Sequence, residues 1–187
     1  VWGMESEYGA NRRSFTLFGE EEILAYEWWL TNYAKPEFLA ALRIYQQQRY
    51  SLSEMVGSWA GAFGQTQFTP TTFLKYAADG DGDGKIDLWR SPPDALASAA
   101  RLLSEQGWTR GQNWGYEVSL PDNFAYEDAD LENDKPVSEW SMRGVQTVNG
   151  DPLAVLDGNA AIFLPAGARG PAFLVYPNFR VLLKYNN

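Results

Sequence analysis

The sequence contains no cysteine and no histidine in 187 residues. Without cysteine there is neither a disulfide framework nor a thiolate metal site. Without histidine, Ser-His-Asp and Cys-His catalysis and His-ligated zinc are excluded. Acid–base chemistry then falls to carboxylates, tyrosine or lysine. Long apolar runs are also missing: none approaches the roughly 18 residues that a membrane-spanning helix needs. Positive charge is scarce, with 15 Lys and Arg against 24 Asp and Glu and a net charge of −9. That balance argues against nucleic acid as a partner. What is present is apolar and aromatic: 45% hydrophobic residues, 15% aromatic, eight of them Trp. The length and this content suit a packed domain, or one domain with a subdomain.

The opening stretch VWGMESEYG reads as the end of a helix. Val1, Met4 and Tyr8 share a face, and Gly9 is positioned to stop it. No N-cap precedes Val1, so the helix is expected to begin upstream of this sequence. Residues 20–31 (EEEILAYEWWLT) and 36–48 (PEFLAALRIYQQQ) read as helices, the second with Pro at its start and Phe38, Leu42 and Tyr45 on one face. Residues 57–64 (GSWAGAFG) form a tight loop or a close-packed helix start. Residues 70–78 read as a short helix. Residues 92–106 show the clearest helical spacing, Leu96, Ala99, Ala100 and Leu103, before Gly107. After about residue 115 the composition shifts. YEVSL, EWSMRGVQTV, AAIFLPAG and AFLVY are short, β-rich and bounded by Pro, Gly, Asn or Asp, and so read as strands. Residues 127–136 form an acidic surface loop, and NFRVLLKYNN starts a last helix.

Two stretches carry chemistry. On a helical wheel Glu5 lies about 40° from Val1, between it and Trp2, while Glu7 points to the opposite side. Desolvation among apolar neighbours raises a carboxyl's pKa. A carboxyl kept protonated can donate to a leaving oxygen, as general acids of glycoside cleavage do. The plain alternative is a helix-end Glu whose head reaches solvent. In DGDGDGKID, Asp79, Asp81 and Asp83 stand at positions 1, 3 and 5 of an EF-hand-like loop, with Gly84 at 6 and Ile86 at 8. Lys85 would offer its carbonyl. Position 12 is Arg90, which cannot close the site, so Asp94 is the best substitute. The alternative is a Gly/Asp turn without an ion, in which three carboxylates would repel one another. GSWAGAFGQTQFTP combines a hydroxyl, amides, small residues and aromatics. It suits either a glycan cleft or helix packing.

Six motifs, WGMESEYG, GSWAGAFGQTQFTP, DGDGDGKIDLW, SPPDALAS, GWTRGQNWGYEVSLP and PAFLVYPNFRVLLKYN, occur in this order. Together they resemble the membrane-bound lytic transglycosylase B family, peptidoglycan-cleaving enzymes of glycoside hydrolase family 103. The resemblance implies an α+β, lysozyme-like fold: a helical core over 1–115, a small antiparallel β subdomain over 116–180, and the start of a helix over 181–187 that returns to the cleft. It implies Glu5 as the single catalytic acid/base. Ser58, Phe63, Gln65 and Gln67, with Tyr185 and Asn186, are implied to bind glycan. Phe63 stands where the family commonly has Met, and Leu102 where a sugar-stacking Tyr is common. The ion site falls on Asp79, Asp81, Asp83, the Lys85 carbonyl and Asp94, holding structural Ca²⁺, with Na⁺ as an alternative occupant. No organic cofactor is implied.

The implied reaction cuts the β-1,4 bond between MurNAc and GlcNAc and leaves 1,6-anhydroMurNAc. The implied setting is the bacterial periplasm or cell envelope. There the protein acts on glycan strands as a monomer, with any outer-membrane anchor outside this sequence. Flanking segments are expected to clamp the site and raise the rate. A hydrolytic muramidase on the same scaffold and a non-catalytic, calcium-stabilised peptidoglycan-binding module remain the competing readings.

Overall fold

The computed structural model describes residues 1–11, 15–16, 31–48, 50–51, 53–58, 60–154 and 158–186. The helix expected over 20–31 lies outside these residues except for Thr31, and Trp59 also lies outside them. The chain forms two compact units, Val1–Leu102 and Leu103–Asn187. The change of unit falls earlier than the composition shift near residue 115. Helices dominate the first unit and an antiparallel sheet the second, an α+β arrangement. Among the described residues no helix is long and apolar enough to cross a membrane.

The first unit contains α1 (Trp2–Ser6), α2 (Thr31–Gln48), α3 (Pro70–Tyr76) and most of α4 (Pro92–Glu105). A two-stranded ladder pairs β1 (Phe15–Thr16) with β2 (Val56–Gly57). Helix α2 starts before Pro36, which lies inside it rather than at its start. Its buried face is also not the expected one. Glu37, Ala40, Ala41 and Ile44 are buried, whereas Leu42 and Tyr45 are exposed. The small alanines let α2 approach α3 closely. Glu37 then caps α3, accepting from Thr71 N at 2.8 Å and Thr71 Oγ1 at 2.6 Å. Thr69 is the N-cap residue of α3, with Pro70 just inside, a favoured order at helix starts.

In α4 the buried line is Ala95, Ser98, Ala99 and Leu102, and Leu96 and Ala100 face outward. Polar anchors set this rotation. Ser98 Oγ accepts from Ala78 N at 2.9 Å. Asp94, 1% exposed, accepts from Gly80 N at 2.7 Å and Asp87 N at 2.6 Å.

In the second unit five strands run in the order β4 (Lys135–Pro136), β6 (Asn159–Phe163), β7 (Ala172–Val175), β3 (Gly115–Ser119), β5 (Gln146–Thr147). All neighbours are antiparallel. Tyr116, Leu174 and Ile162 align across the sheet and face a core around Trp140. The stretch EWSMRGVQTV is not a strand throughout. Its first half belongs to α5 (Val137–Met142), and only Gln146–Thr147 joins the sheet. Val137 and Trp140, one helical turn apart, are the buried residues of α5, and Trp140 Nε1 donates to Ala160 O at 2.7 Å. The acidic loop is tied down at Asp128, 2.8 Å from Arg143, and at Asp134, 3.0 Å from Arg180. The last helix, α6 (Pro177–Leu183), carries the fully buried Asn178, which accepts from Thr109 N and donates to the carbonyls of Thr109 and Gln112.

Candidate active site

Helix α1 ends earlier than Gly9. Its C-cap is Glu7, and Glu7, Tyr8 and Gly9 all adopt positive φ, 50°, 59° and 88°. Three left-handed residues in a row turn the chain sharply away. The motif's glycines admit this packing. A Cβ on Gly3 would stand 2.7 Å from the Tyr8 ring, and one on Gly9 2.6 Å from Gln65 Oε1. Trp2 meets Tyr8 edge to face, 5.5 Å between centroids.

Glu5 is partly buried and Glu7 is exposed, but the apolar face expected around Val1 is not buried, since Met4 and Tyr8 are exposed. Among the described residues no hydrogen bond or ion pair engages the Glu5 carboxyl. Its neighbours on α1 are fastened instead. Ser6, 2% exposed, donates from Oγ to Gln65 O at 2.6 Å, and Trp2 Nε1 donates to Gln65 Oε1 at 2.9 Å. The helix bearing the carboxyl is therefore pinned while the carboxyl itself stays available.

Residues 60–68 form a run of tight turns rather than a helix start. Gly57 bridges Phe63, and Phe63 bridges Phe68. Ser58 is buried, and its Oγ accepts from Ala62 N at 3.2 Å. Phe63 has no exposure at all, stacked on Trp89 at 4.6 Å and tilted against Phe73 at 5.5 Å. It is a core residue and cannot touch glycan, which corrects the expectation from the motif. Leu102 is likewise buried. Gln65 is 4% exposed with its amide engaged. Gln67 is partly exposed in a left-handed conformation, φ 51°, where a non-glycine residue costs about 1–2 kcal/mol. Its Nε2 donates to Gly64 O at 2.9 Å. In the second unit, Tyr185 is partly buried in a 3-10 turn over Lys184–Asn186, and the Asn186 side chain lies outside the described residues. Concavities of about 210 Å³ beside Phe124 and Arg143 and of about 310 Å³ between α2 and α3 contain none of these residues.

Asp79, Asp81 and Asp83 bring one carboxylate oxygen each within 4.8 Å of one another. No Lys or Arg is ion-paired to them among the described residues. Backbone donors already order the loop: Asp79 accepts from Gly82 N at 2.6 Å and Gly84 N at 2.8 Å, and Asp83 from Lys85 N at 2.8 Å. The Gly84 N–H is the main reason the Asp79 carboxyl is held below the ordinary carboxylate range. Three converging hard oxygens without a counter-charge fit a hard cation such as Ca²⁺. Asp94 stands outside this trio. Its two oxygens accept from the Gly80 and Asp87 backbone N–H groups, which fastens the loop to α4. Lys85 sets its ammonium over the Tyr50 ring at 4.7 Å.

Trp2 is placed beside Glu5 by the helical wheel, whereas the anchoring role of Ser6 was not read from the sequence. Ser6 four residues after Trp2, between two glycines, was the available signal.

The sequence profile of the transglycosylase SLT domain matches residues 1–187. The membrane-bound lytic murein transglycosylase B of Escherichia coli (strain K12) is 30% identical over 136 residues, covering 70% of this chain and 35% of that protein. SltB3 from Pseudomonas aeruginosa, solved with NAG-anhNAM-pentapeptide, is 53% identical with a TM-score of 0.91, over 100% of this chain and 50% of that one. The same protein with NAG-NAM-pentapeptide gives 53% and 0.92 over the same shares. An Escherichia coli lytic transglycosylase solved in complex with calcium shares the fold, with 24% identity and a TM-score of 0.80 over 99% of this chain and 58% of that one. The chain thus spans at most about half the length of its nearer relatives named here. Because the profile runs the whole length of the sequence, the chain belongs to the transglycosylase SLT domain family, in its lytic transglycosylase B branch.

Proposed function

We propose that this chain is the catalytic part of a lytic transglycosylase that cleaves peptidoglycan strands between MurNAc and GlcNAc. The observation that carries the reading is Glu5: a partly buried carboxyl with no protein partner among the described residues, on a helix pinned at both ends of one turn. Glu5 protonates the glycosidic oxygen as the C1–O bond breaks. The sugar passes through an oxocarbenium-like state. Glu5, now a carboxylate, takes the proton of the C6 hydroxyl as that oxygen bonds to C1. The products are a GlcNAc end and a 1,6-anhydroMurNAc end, and Glu5 is again protonated. One carboxyl serves twice, so no second carboxylate and no water are required. That SltB3 was solved with both an anhydro and a non-anhydro glycan peptide supports this reading.

Ser58 and Gln67 of the first unit are assigned to glycan binding, as are Tyr185 and Asn186 of the second. The ion loop is assigned to Ca²⁺, with Na⁺ as an alternative, held by Asp79, Asp81, Asp83 and the Lys85 carbonyl. When bound, the ion supplies positive charge that ties the loop together and takes no part in the reaction. A peptidoglycan substrate supports a setting in the bacterial periplasm or cell envelope. Mass spectrometry of digested peptidoglycan tests the function. Anhydro products are about 18 Da lighter than hydrolytic ones. Products at the hydrolytic mass would establish a muramidase, and no products would leave a binding module.

A further inference from the structure

Gln65 is buried, and every polar group it owns is used. Its backbone N–H donates to Leu88 O at 2.8 Å, and its Nε2 reaches Trp89 O at 3.5 Å. These contacts fasten it to the 88–89 turn. Its two acceptors face α1. Oε1 takes the Trp2 indole proton at 2.9 Å, and the backbone carbonyl takes the Ser6 hydroxyl proton at 2.6 Å. Gly9 closes against the same amide, with no room for a Cβ.

Trp2 and Ser6 stand one helical turn apart and bracket Glu5. Two ties at that spacing fix both the tilt and the rotation of a helix about its axis. A helix of only five residues has no stability of its own in water, so such ties decide its orientation. Rotation is what aims Glu5, which lies about 100° from Ser6 around the axis.

We propose that Gln65 is the positioning residue of Glu5: it does not touch glycan, but sets the angle at which the carboxyl meets the glycosidic oxygen. This rests on Glu5 being the acid/base. It gives Gln65 a different task from the one implied by the motif, which placed it in the glycan cleft. The consequence is specific, because misplacing a reacting group by about 1 Å costs on the order of 100-fold in rate.

Three substitutions separate the possibilities. Gln65→Met keeps the length and removes the acceptor. Gln65→Glu keeps an acceptor for the Trp2 indole. Trp2→Phe removes the donor of the same bond. Turnover is followed on soluble glycan–peptide fragments, and NAG-NAM-pentapeptide binding is measured in the inactive Glu5→Gln background. The expected result for Gln65→Met is a loss of about 10- to 100-fold in kcat, with KM and fragment affinity unchanged. Trp2→Phe should behave alike, the double variant should be little worse than either single, and Gln65→Glu should recover most of the rate. Wild-type kcat in Gln65→Met, or a fall in fragment affinity, would overturn the proposal. So would a kcat loss that Gln65→Glu does not relieve and that tracks a lowered melting temperature. Wild-type turnover in Glu5→Gln alone would instead refute the acid/base assignment itself.

Discussion

Asp94→Ala is the sharpest test of how the acidic loop is held. Asp94 is 1% exposed, and its two oxygens accept from Gly80 N at 2.7 Å and Asp87 N at 2.6 Å. Truncation leaves both N–H groups without their partner. Hydrogen bonds to a charged group are worth about 1.5–3 kcal/mol each, so the pair amounts to about 3–6 kcal/mol. Both bonds are only partly buried, which lets water replace some of the loss. The expected cost is therefore about 3 kcal/mol, and for a chain of this size it lowers Tm by about 6–12 °C. Asp94→Asn keeps one acceptor oxygen and should lose about half as much. The assay is thermal unfolding with and without excess chelator. If Asp94 is a backbone fastener, its deficit persists in chelator. If it were an ion ligand, chelated wild type would fall to the level of the variant. A variant within about 1 kcal/mol of wild type, or a deficit that vanishes in chelator, would refute the reasoning.

Removing Ca²⁺ should lower Tm and restoring it should raise Tm, because a ligand bound only to the native state stabilises it; identical melts with and without calcium would remove the ion from the trio of Asp79, Asp81 and Asp83. Phe63→Ala should cost about 3–5 kcal/mol in a urea titration, since the ring is fully buried between Trp89 and Phe73, and a loss under about 1 kcal/mol would contradict its place in the core. The Glu54 carboxyl is held down to about 2, first by the Ser51 backbone N–H and then by the Arg90 guanidinium 2.8 Å away. Its folded value lies below its ordinary 4.5, so its stabilisation is complete above 4.5 and is lost as pH falls through about 2. Proton titration by NMR should find that low midpoint, and Arg90→Met should raise it only part way; a midpoint near 4.5 in the wild type would count against both contacts.

The helices with strong local signals were legible in the sequence. Residues 92–106 and 70–78 became α4 and α3 within two residues. Their buried faces were less legible, because the sequence reading followed the large apolar residues. In α2 and α4 the inner faces carry alanines, a serine and carboxylates beside Ile44 and Leu102, while Leu42, Tyr45 and Leu96 point outward. Close approach and buried polar anchors outweighed side-chain size. The strand expected from EWSMRGVQTV failed because Val137 and Trp140 carry a helical spacing that begins just before that stretch. The partial burial of Glu5 was legible because its neighbours one turn away are close in sequence. The contacts of Gln65 were not legible. Its two acceptors meet residues 59 and 63 positions earlier in the chain, and no local pattern reports contacts at that range. Asp94 was ambiguous for a different reason. A carboxylate at a helix start beside an acidic loop suits an ion and a backbone amide equally well.

The span of those two ties also orders events during folding. Closing a loop of about 60 residues costs about 3.6 kcal/mol of chain entropy before any contact rewards it. The short α1 gains nothing from its own hydrogen bonds until that loop is shut. The orientation of Glu5 therefore waits until the segment through Gln65 has come home. If Glu5 is the proton donor proposed above, a molecule with that loop still open is also a silent one.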